Sequence, residues 1–249
     1  MPTWLETDHW QEIVGTVRQN RLRTALTAAG VFWGAFMLVA MLGFGGGLER
    51  GVTRRMSGFA TNSLYLWGNR TTMPFAGFQP GRRIRFDNED VEAIRDIEGV
   101  QYVCPRDRMG GRRGGVPVRR GELVGTFTLS ADVPEVIHVQ PAIIVRGRYV
   151  NALDIQQRRK VTIIGEGVAE VLFPDGEDPI GARVDVRGSI FSVVGVFRPR
   201  QTGDYGEMLR KSLVVPFSTY QAAFNTSERV GWLAVTADSG FSVAHIQEL

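Results

Sequence analysis

From position 24 to position 48 the chain carries 25 consecutive uncharged residues, TALTAAGVFWGAFMLVAMLGFGGGL, bounded by Arg23 and Glu49. As an α-helix that stretch is about 37 Å long at 1.5 Å per residue, against about 30 Å of bilayer hydrocarbon, and so predicts one tilted membrane span. A cleaved signal sequence has an apolar segment of about 7–15 residues behind a short basic head. Here 23 residues containing Glu6, Asp8 and Glu12 come first, and no A-x-A site closes the apolar run, so the pattern predicts an uncleaved anchor.

Hydrophobic positions elsewhere are periodic. Trp10, Ile13, Val14 and Val17 recur at i, i+3, i+4 and i+7, predicting an amphipathic helix over 4–19 that lies along the membrane surface or docks on a cytoplasmic partner. Beyond Glu49 the helix is expected to continue as a stalk to about residue 62, with Leu48, Val52, Met56 and Phe59 on one face. Residues 63–67 read as a strand. Residues 88–98 read as a helix capped by Asp87 or Asn88, with Val91 and Ile94 inward and Gly99 ending it. A glycine-punctuated β region reaches about residue 147. Strands are then predicted at 160–164, 183–187, 190–197, 211–216 and 231–236, and helices at 167–173, 217–224 and 242–249. Gly188-Ser189 fits a two-residue hairpin turn. The fold class expected is therefore an α+β domain, one body or one of two lobes, on one transmembrane helix preceded by a short amphipathic helix.

Composition narrows the function. Hydrophobic residues make up 43% of the 249 and charged residues 22%, with a mean hydropathy of -0.07, which argues against both disorder and many spans. One cysteine, Cys104, excludes an internal disulfide and a thiolate metal cluster, and three scattered histidines (His9, His138, His245) argue against a histidine-built metal site. Cys104, between Val103 and Pro105, reads as a buried structural residue. The net charge of +3 is uneven: residues 49–123 hold fourteen arginines against nine acids. Arginines flank the span three against three (Arg18, Arg21, Arg23; Arg50, Arg54, Arg55), so charge alone does not orient it.

Few catalytic patterns are present. The chain lacks G-x-x-x-x-G-K-[ST], G-x-S-x-G and H-E-x-x-H, and neither a P-loop nor a nucleophile elbow is expected. Asp87, Glu89, Asp90 and Glu92 suit the first turn of a helix, and Asp175, Glu177 and Asp178 suit a polar turn better than a calcium loop. No cofactor or metal is expected. Two features point to contacts instead. Gly30 and Gly34 make a G-x-x-x-G step, as do Gly43 and Gly47, which lets a second helix approach closely. The run RDRMGGRRGGVPVRR (106–120) holds six arginines, of which Arg112, Arg113, Arg119 and Arg120 are candidates for contact with lipid phosphates or an acidic partner. It lacks interleaved aromatics for base stacking, so nucleic acid is not expected, and a solvated hairpin is the plain alternative.

Four stretches in order resemble MacB-like permeases, the FtsX-related ABC transporter subunits: RQNRLRTALTAAGVFWGAFMLVAMLGFGGGL (18–48), DNEDVEAIRDIEGV (87–100), VRGRYVNALDIQQRRKVTIIGEGVAEVLFPDGEDPIGARVDVRGSIFSVVGVF (145–197) and SLVVPFSTYQAAF (212–224). Their marks are a helix ending in Gly-Val, a Gly-Arg pair, a Leu-Phe-Pro corner and a Pro-Ile-Gly turn ahead of a hairpin.

The resemblance implies a cytoplasmic amphipathic helix (1–23), a transmembrane helix (24–48), a stalk (49–62) and part of an extracytoplasmic core domain (63–249). It implies a bacterial inner-membrane permease with a cytoplasmic N-terminus, a homodimer or related permease beside it, a separate cytoplasmic ABC ATPase, and room for a periplasmic adaptor. Such a permease passes conformational change across the membrane and is not itself an enzyme. The family carries three further membrane helices after this domain, so the sequence reads as the N-terminal portion of a permease. The rival expectation is a single-pass anchored binding or adaptor protein.

Overall fold

A computed structural model describes residues 21–56, 62–74, 77–110, 114–238, 240–241 and 246. The chain divides into two units between Arg54 and Arg55. The helix expected over 4–19 and, Ile246 excepted, the one over 242–249 lie outside the described residues, as does the segment 57–61 of the stalk.

The described part of the first unit lies in α1 (Arg21–Met56), one uninterrupted helix whose last two residues fall past that division. Its Arg21–Phe44 portion has a mean hydropathy of 2.0 and is unburied among the described residues. A soluble core helix of that composition would be covered; this one leaves Phe32, Trp33, Phe36 and Leu42 open.

The second unit begins with β1 (Ser63–Trp67), α2 (Asn88–Arg95), β2 (Val100–Met109), β3 (Val116–Arg120) and β4 (Leu123–Asp132). It continues through α3 (Val136–Val139), β5 (Ala142–Gly147), α4 (Ala152–Gln156), β6 (Val161–Gly165) and α5 (Glu166–Leu172). After a 3-10 turn over Pro174–Gly176 come β7 (Arg183–Val186), β8 (Ser189–Pro199), α6 (Gly203–Arg210), β9 (Ser212–Pro216), α7 (Phe217–Ala223) and β10 (Trp232–Ala237).

Six strands close into a barrel in the order β3-β7-β8-β6-β9-β4. The closing seam is a parallel pairing of β4 with β9, from Thr128 beside Ser212 to Asp132 beside Pro216. β6 and β8 also run parallel. Closure removes the edges that an open sheet would present, and β5 is added on β8 alone. From β2 a three-stranded antiparallel extension, β2-β10-β1, leaves the barrel. The larger of two apolar clusters holds Leu129, Phe191, Ile164, Leu172, Leu213 and Val118, all fully buried, and a smaller one gathers Ile163, Phe197 and Val214. The α+β expectation holds, and the two-lobed possibility resolves as one barrel with its extension.

Two sequence expectations are corrected. The run 106–120 is not a hairpin. Asp107–Met109 of β2 and then β3 pair end to end with consecutive stretches of β4, while Gly110 and Gly115 stand in backbone contact between them. The real hairpin joins β3 to β4. The β7–β8 turn is Arg187-Gly188, not Gly188-Ser189, since Val186 pairs with Ser189. Both turn residues have positive φ (53° and 84°), the form whose twist matches the strands it joins. Asp185 fixes it by accepting the Gly188 N–H at 2.6 Å. This register buries Val184, Val186 and Phe191 and turns Ile190 outward; a shift by one residue would invert that set.

Elsewhere the local chemistry is as expected. Asp87 caps α2, its Oδ1 accepting the N–H groups of Glu89 and Asp90 while Asp90 returns a bond to the Asp87 N–H. Val91 is buried under that helix and Gly99 follows it at φ 87°. Helices α3, α4 and α6 are short and were not foreseen.

Candidate functional site

The described residues hold no cluster of His, Cys, Asp and Glu able to ligate a metal. What the domain builds is a set of charge-stabilised joints and open surfaces. The most buried joint lies where β2 passes from the extension to the barrel. Arg106 on β2 meets Asp132 on β4 through Nε–Oδ1 at 2.7 Å and Nη2–Oδ2 at 3.0 Å, and both side chains are 3% exposed. The third guanidinium nitrogen donates to Gln140 Oε1 at 2.7 Å, and the Tyr205 hydroxyl reaches the same oxygen at 3.4 Å. Trp232 of β10 lies 5.6 Å from the guanidinium. Burial works against the charge on Arg106, but Asp132 outweighs it and the guanidinium is held more firmly protonated than usual. The same burial, with the Asp132 charge nearby, pushes the Tyr149 phenol up. Charges this deep were missed because arginine in a sequence reads as surface; the available signal was a lone acid at the end of the otherwise uncharged strand LVGTFTLSAD.

A second joint explains the Gly-Arg pair. Gly147 takes φ 71°, and a Cβ there would collide with the Val194 carbonyl. Arg148 follows and donates to both oxygens of the buried Asp154, at 2.6 and 3.1 Å. Asn151 and Asp154 form a reciprocal capping box on α4. Burial pushes the Asp154 carboxyl up, but the Arg148 bonds and the Asn151 N–H pull it below its ordinary value on balance.

The Leu-Phe-Pro corner buries Leu172 and Phe173 and starts the 3-10 turn at Pro174. Arg120 is spent on this corner. Its guanidinium lies 4.3 Å over the Phe173 ring, donates to the Leu172 carbonyl at 2.9 Å and pairs with Glu177 at 2.5 Å. In the Pro-Ile-Gly turn Gly181 takes φ 82° and donates to the Val193 carbonyl at 2.8 Å, docking the turn on β8. A surface groove of about 630 Å³ lies between α5 and β5, with Phe173, Ala169, Val145 and Val196 among its lining. Across it Glu166 accepts two bonds from Arg198 at 2.7 and 2.8 Å, which hold the carboxyl below its ordinary value.

The other predicted contact residues are dispersed. Arg119 is exposed on β3, opposite Asp185 in the β7 register. Arg112 and Arg113 lie outside the described residues. On α1, Gly30 and Gly34 face open space, with nothing within 4 Å of an added Cβ. Cys104 is fully buried, and burial pushes its thiol up to about 12.

The sequence model of the MacB-like periplasmic core domain matches residues 24–249, nearly the whole chain. The chain belongs to that family. Among relatives of this MacB-like chain, the macrolide export ATP-binding/permease protein MacB of Rhodospirillum rubrum is 30% identical over 205 residues, covering 82% of this chain and 30% of that protein. The pyoverdine export ATP-binding/permease protein PvdT of Pseudomonas putida is 31% identical over 225 residues, 89% of this chain and 32% of that protein. The MacB-like chain thus spans about a third of the length of the curated relatives it matches.

Two solved structures share its fold. The periplasmic region of MacB from Actinobacillus actinomycetemcomitans superposes with a TM-score of 0.62 at 19% identity, covering 78% of this chain and 82% of that one. The extracellular domain of the noncanonic ABC-type transporter YknZ from Gram-positive bacteria gives 0.61 at 20% identity, covering 74% and 88%.

Proposed function

We propose that this chain is the first membrane helix and extracytoplasmic domain of a MacB-like ABC permease, which passes ATP-driven movement across the bilayer to a domain outside it. The observation that carries the reading is the pairing of one uncovered apolar helix, Arg21–Phe44, with a periplasmic core domain on the same polypeptide. Family membership favours this over a free-standing anchored adaptor. In this reading the span sits in the bacterial inner membrane, with the N-terminus in the cytoplasm and residues 63–249 outside. The chain contains no P-loop, so ATP is hydrolysed by residues outside this sequence. The relatives' names join ATP-binding and permease in one protein, which supports a dedicated ATPase working with this chain, whether as the separate chain expected from the sequence or joined to it. A second permease copy, approached through Gly30 and Gly34, and an adaptor outside the membrane complete the assembly.

The test is distance measurement between spin labels on the extracytoplasmic domains of the two permease copies, in nanodiscs that hold permease and ATPase. Trapping the ATPase with vanadate is expected to shift that distance. Distances identical in the trapped and nucleotide-free states would remove the transmission role. Labelling of single engineered cysteines in intact cells checks the topology, with those beyond residue 63 expected to react with an impermeant maleimide.

A further inference from the structure

Between β1 and α2 the chain makes an excursion whose two arms, 67–74 and 77–85, are held together as a short hairpin. The Ile84 N–H donates to the Asn69 carbonyl at 2.8 Å, the Thr71 N–H to the Arg82 carbonyl at 2.9 Å and the Gly81 N–H to the Thr71 carbonyl at 2.7 Å. Gly68 lets the arms close, since a Cβ there would collide with the Ile84 carbonyl.

Its side chains are unusual for a solvated hairpin. Trp67 is 64% exposed, Met73 76% and Phe78 55%, with Ile84 also open. Between Asn62 and Asp87 the sequence holds four arginines (Arg70, Arg82, Arg83 and Arg85) and no acid. All four are exposed, and among the described residues none has a carboxylate partner, whereas Arg106, Arg120, Arg148 and Arg210 elsewhere are each ion-paired. Arg70 and Arg83 stand directly opposite each other in the ladder. Like charges at that position destabilise a strand pair unless an anion lies between or beside them. Arg82 sits 4.5 Å over the Phe78 ring, so cation and aromatic ring share one surface.

We infer that this hairpin docks on the anionic headgroup surface of a bilayer, its arginines on lipid phosphates and its Trp67, Met73 and Phe78 side chains at the interface. Exposed aromatic and apolar residues interleaved with unpaired arginines are what an interfacial segment presents, and each arginine near an anionic leaflet adds attraction. The proposal rests on the reading of α1 as a membrane helix. That helix is on the same polypeptide, which raises the local concentration of lipid around the hairpin.

The test uses the whole chain in vesicles of one part phosphatidylglycerol to two parts phosphatidylcholine. An environment-sensitive dye is placed at Met73→Cys or Phe78→Cys, and brominated lipid serves as quencher. The native Cys104 is buried and does not compete for the label. Quenching is expected at both positions and not at Val171→Cys, which is exposed on α5 next to Glu170 in sequence. Each Arg→Gln substitution is expected to lower the docked-to-undocked ratio about 5-fold. The Arg70→Gln/Arg83→Gln pair removes the like-charge contact, so it is expected to keep or raise the unfolding temperature while losing quenching. Resistance of the vesicle-bound protein to carbonate extraction is measured in parallel. If the chain resists extraction but the dyes are not quenched, the hairpin does not dock and the anchor reading stands. If the chain is extracted, the anchor reading itself fails and this inference with it. Quenching that persists in pure phosphatidylcholine and rises with protein-to-lipid ratio identifies a second copy as the occupant, and overturns the lipid assignment.

Discussion

Arg106 and Asp132 meet as a two-point ion pair at 2.7 and 3.0 Å, with only 3% of either side chain exposed. They join the strand that leaves the barrel to the strand that helps close it, so they fix the place where the extension departs. A pair this deep gains its Coulomb energy against a large desolvation cost, and its worth shows mainly when one partner is lost.

Asp132→Leu or Arg106→Met is therefore expected to destabilise the domain by about 3–5 kcal/mol, while Arg106→Met/Asp132→Leu recovers most of that loss. Urea unfolding of the four proteins in detergent measures this. A double variant as unstable as the sum of the single variants would show that no specific pairing exists.

Asp154 gives the domain an acid-sensitive joint. Its folded carboxyl is held below its unfolded value near 3.9, so the stability it lends is fully present above that value and disappears as pH falls through the folded one. Wild type is expected to lose stability more steeply than Asp154→Asn below about pH 4. Thermal midpoints taken from pH 6 down to pH 2 check the sign; parallel curves would refute it.

The β7–β8 turn is improvable. Arg187 holds φ 53°, a conformation that asparagine adopts at little cost before glycine. Arg187→Asn is expected to raise stability by about 0.5–1 kcal/mol, read from the urea midpoint. A lower midpoint would mean that the contact of Arg187 Nη1 with Met109 Sδ at 3.0 Å matters more than the backbone.

Cys104 is expected to be silent to maleimide at pH 8 in the folded protein and to react once urea unfolds it, since burial keeps the thiol protonated. Labelling kinetics followed by mass spectrometry decide this.

Along α1, Gly30→Leu/Gly34→Leu is expected to weaken self-association in a membrane reporter assay, because leucine keeps two backbones apart. An unchanged signal would remove these glycines from the contact.

The parts that local pattern specifies were readable in advance. The long apolar helix needs only length and lack of charge, α2 announces its cap at Asp87, and the β7–β8 hairpin shows its alternation, with its turn one residue earlier than the sequence suggests. Long-range features were not readable. Periodicity within β4 says nothing about Ser212, and the parallel seam lies 84 residues along the chain. Arg106 and Asp132 were hidden because single charges in strands default to the solvent face. The 67–85 excursion is too short and irregular for any period, and its interest lies in which arginines lack partners. Of the residues singled out for contact, Arg120 turned out to serve the Phe173 corner, a role visible only once β3 and α5 are side by side.

The seam between β4 and β9 also dictates an order of events during synthesis. Thr128 leaves the ribosome long before Ser212, and until that later strand arrives one side of β4 has no permanent neighbour. A nascent polypeptide in this condition is open to improper strand partners until the later strand is made.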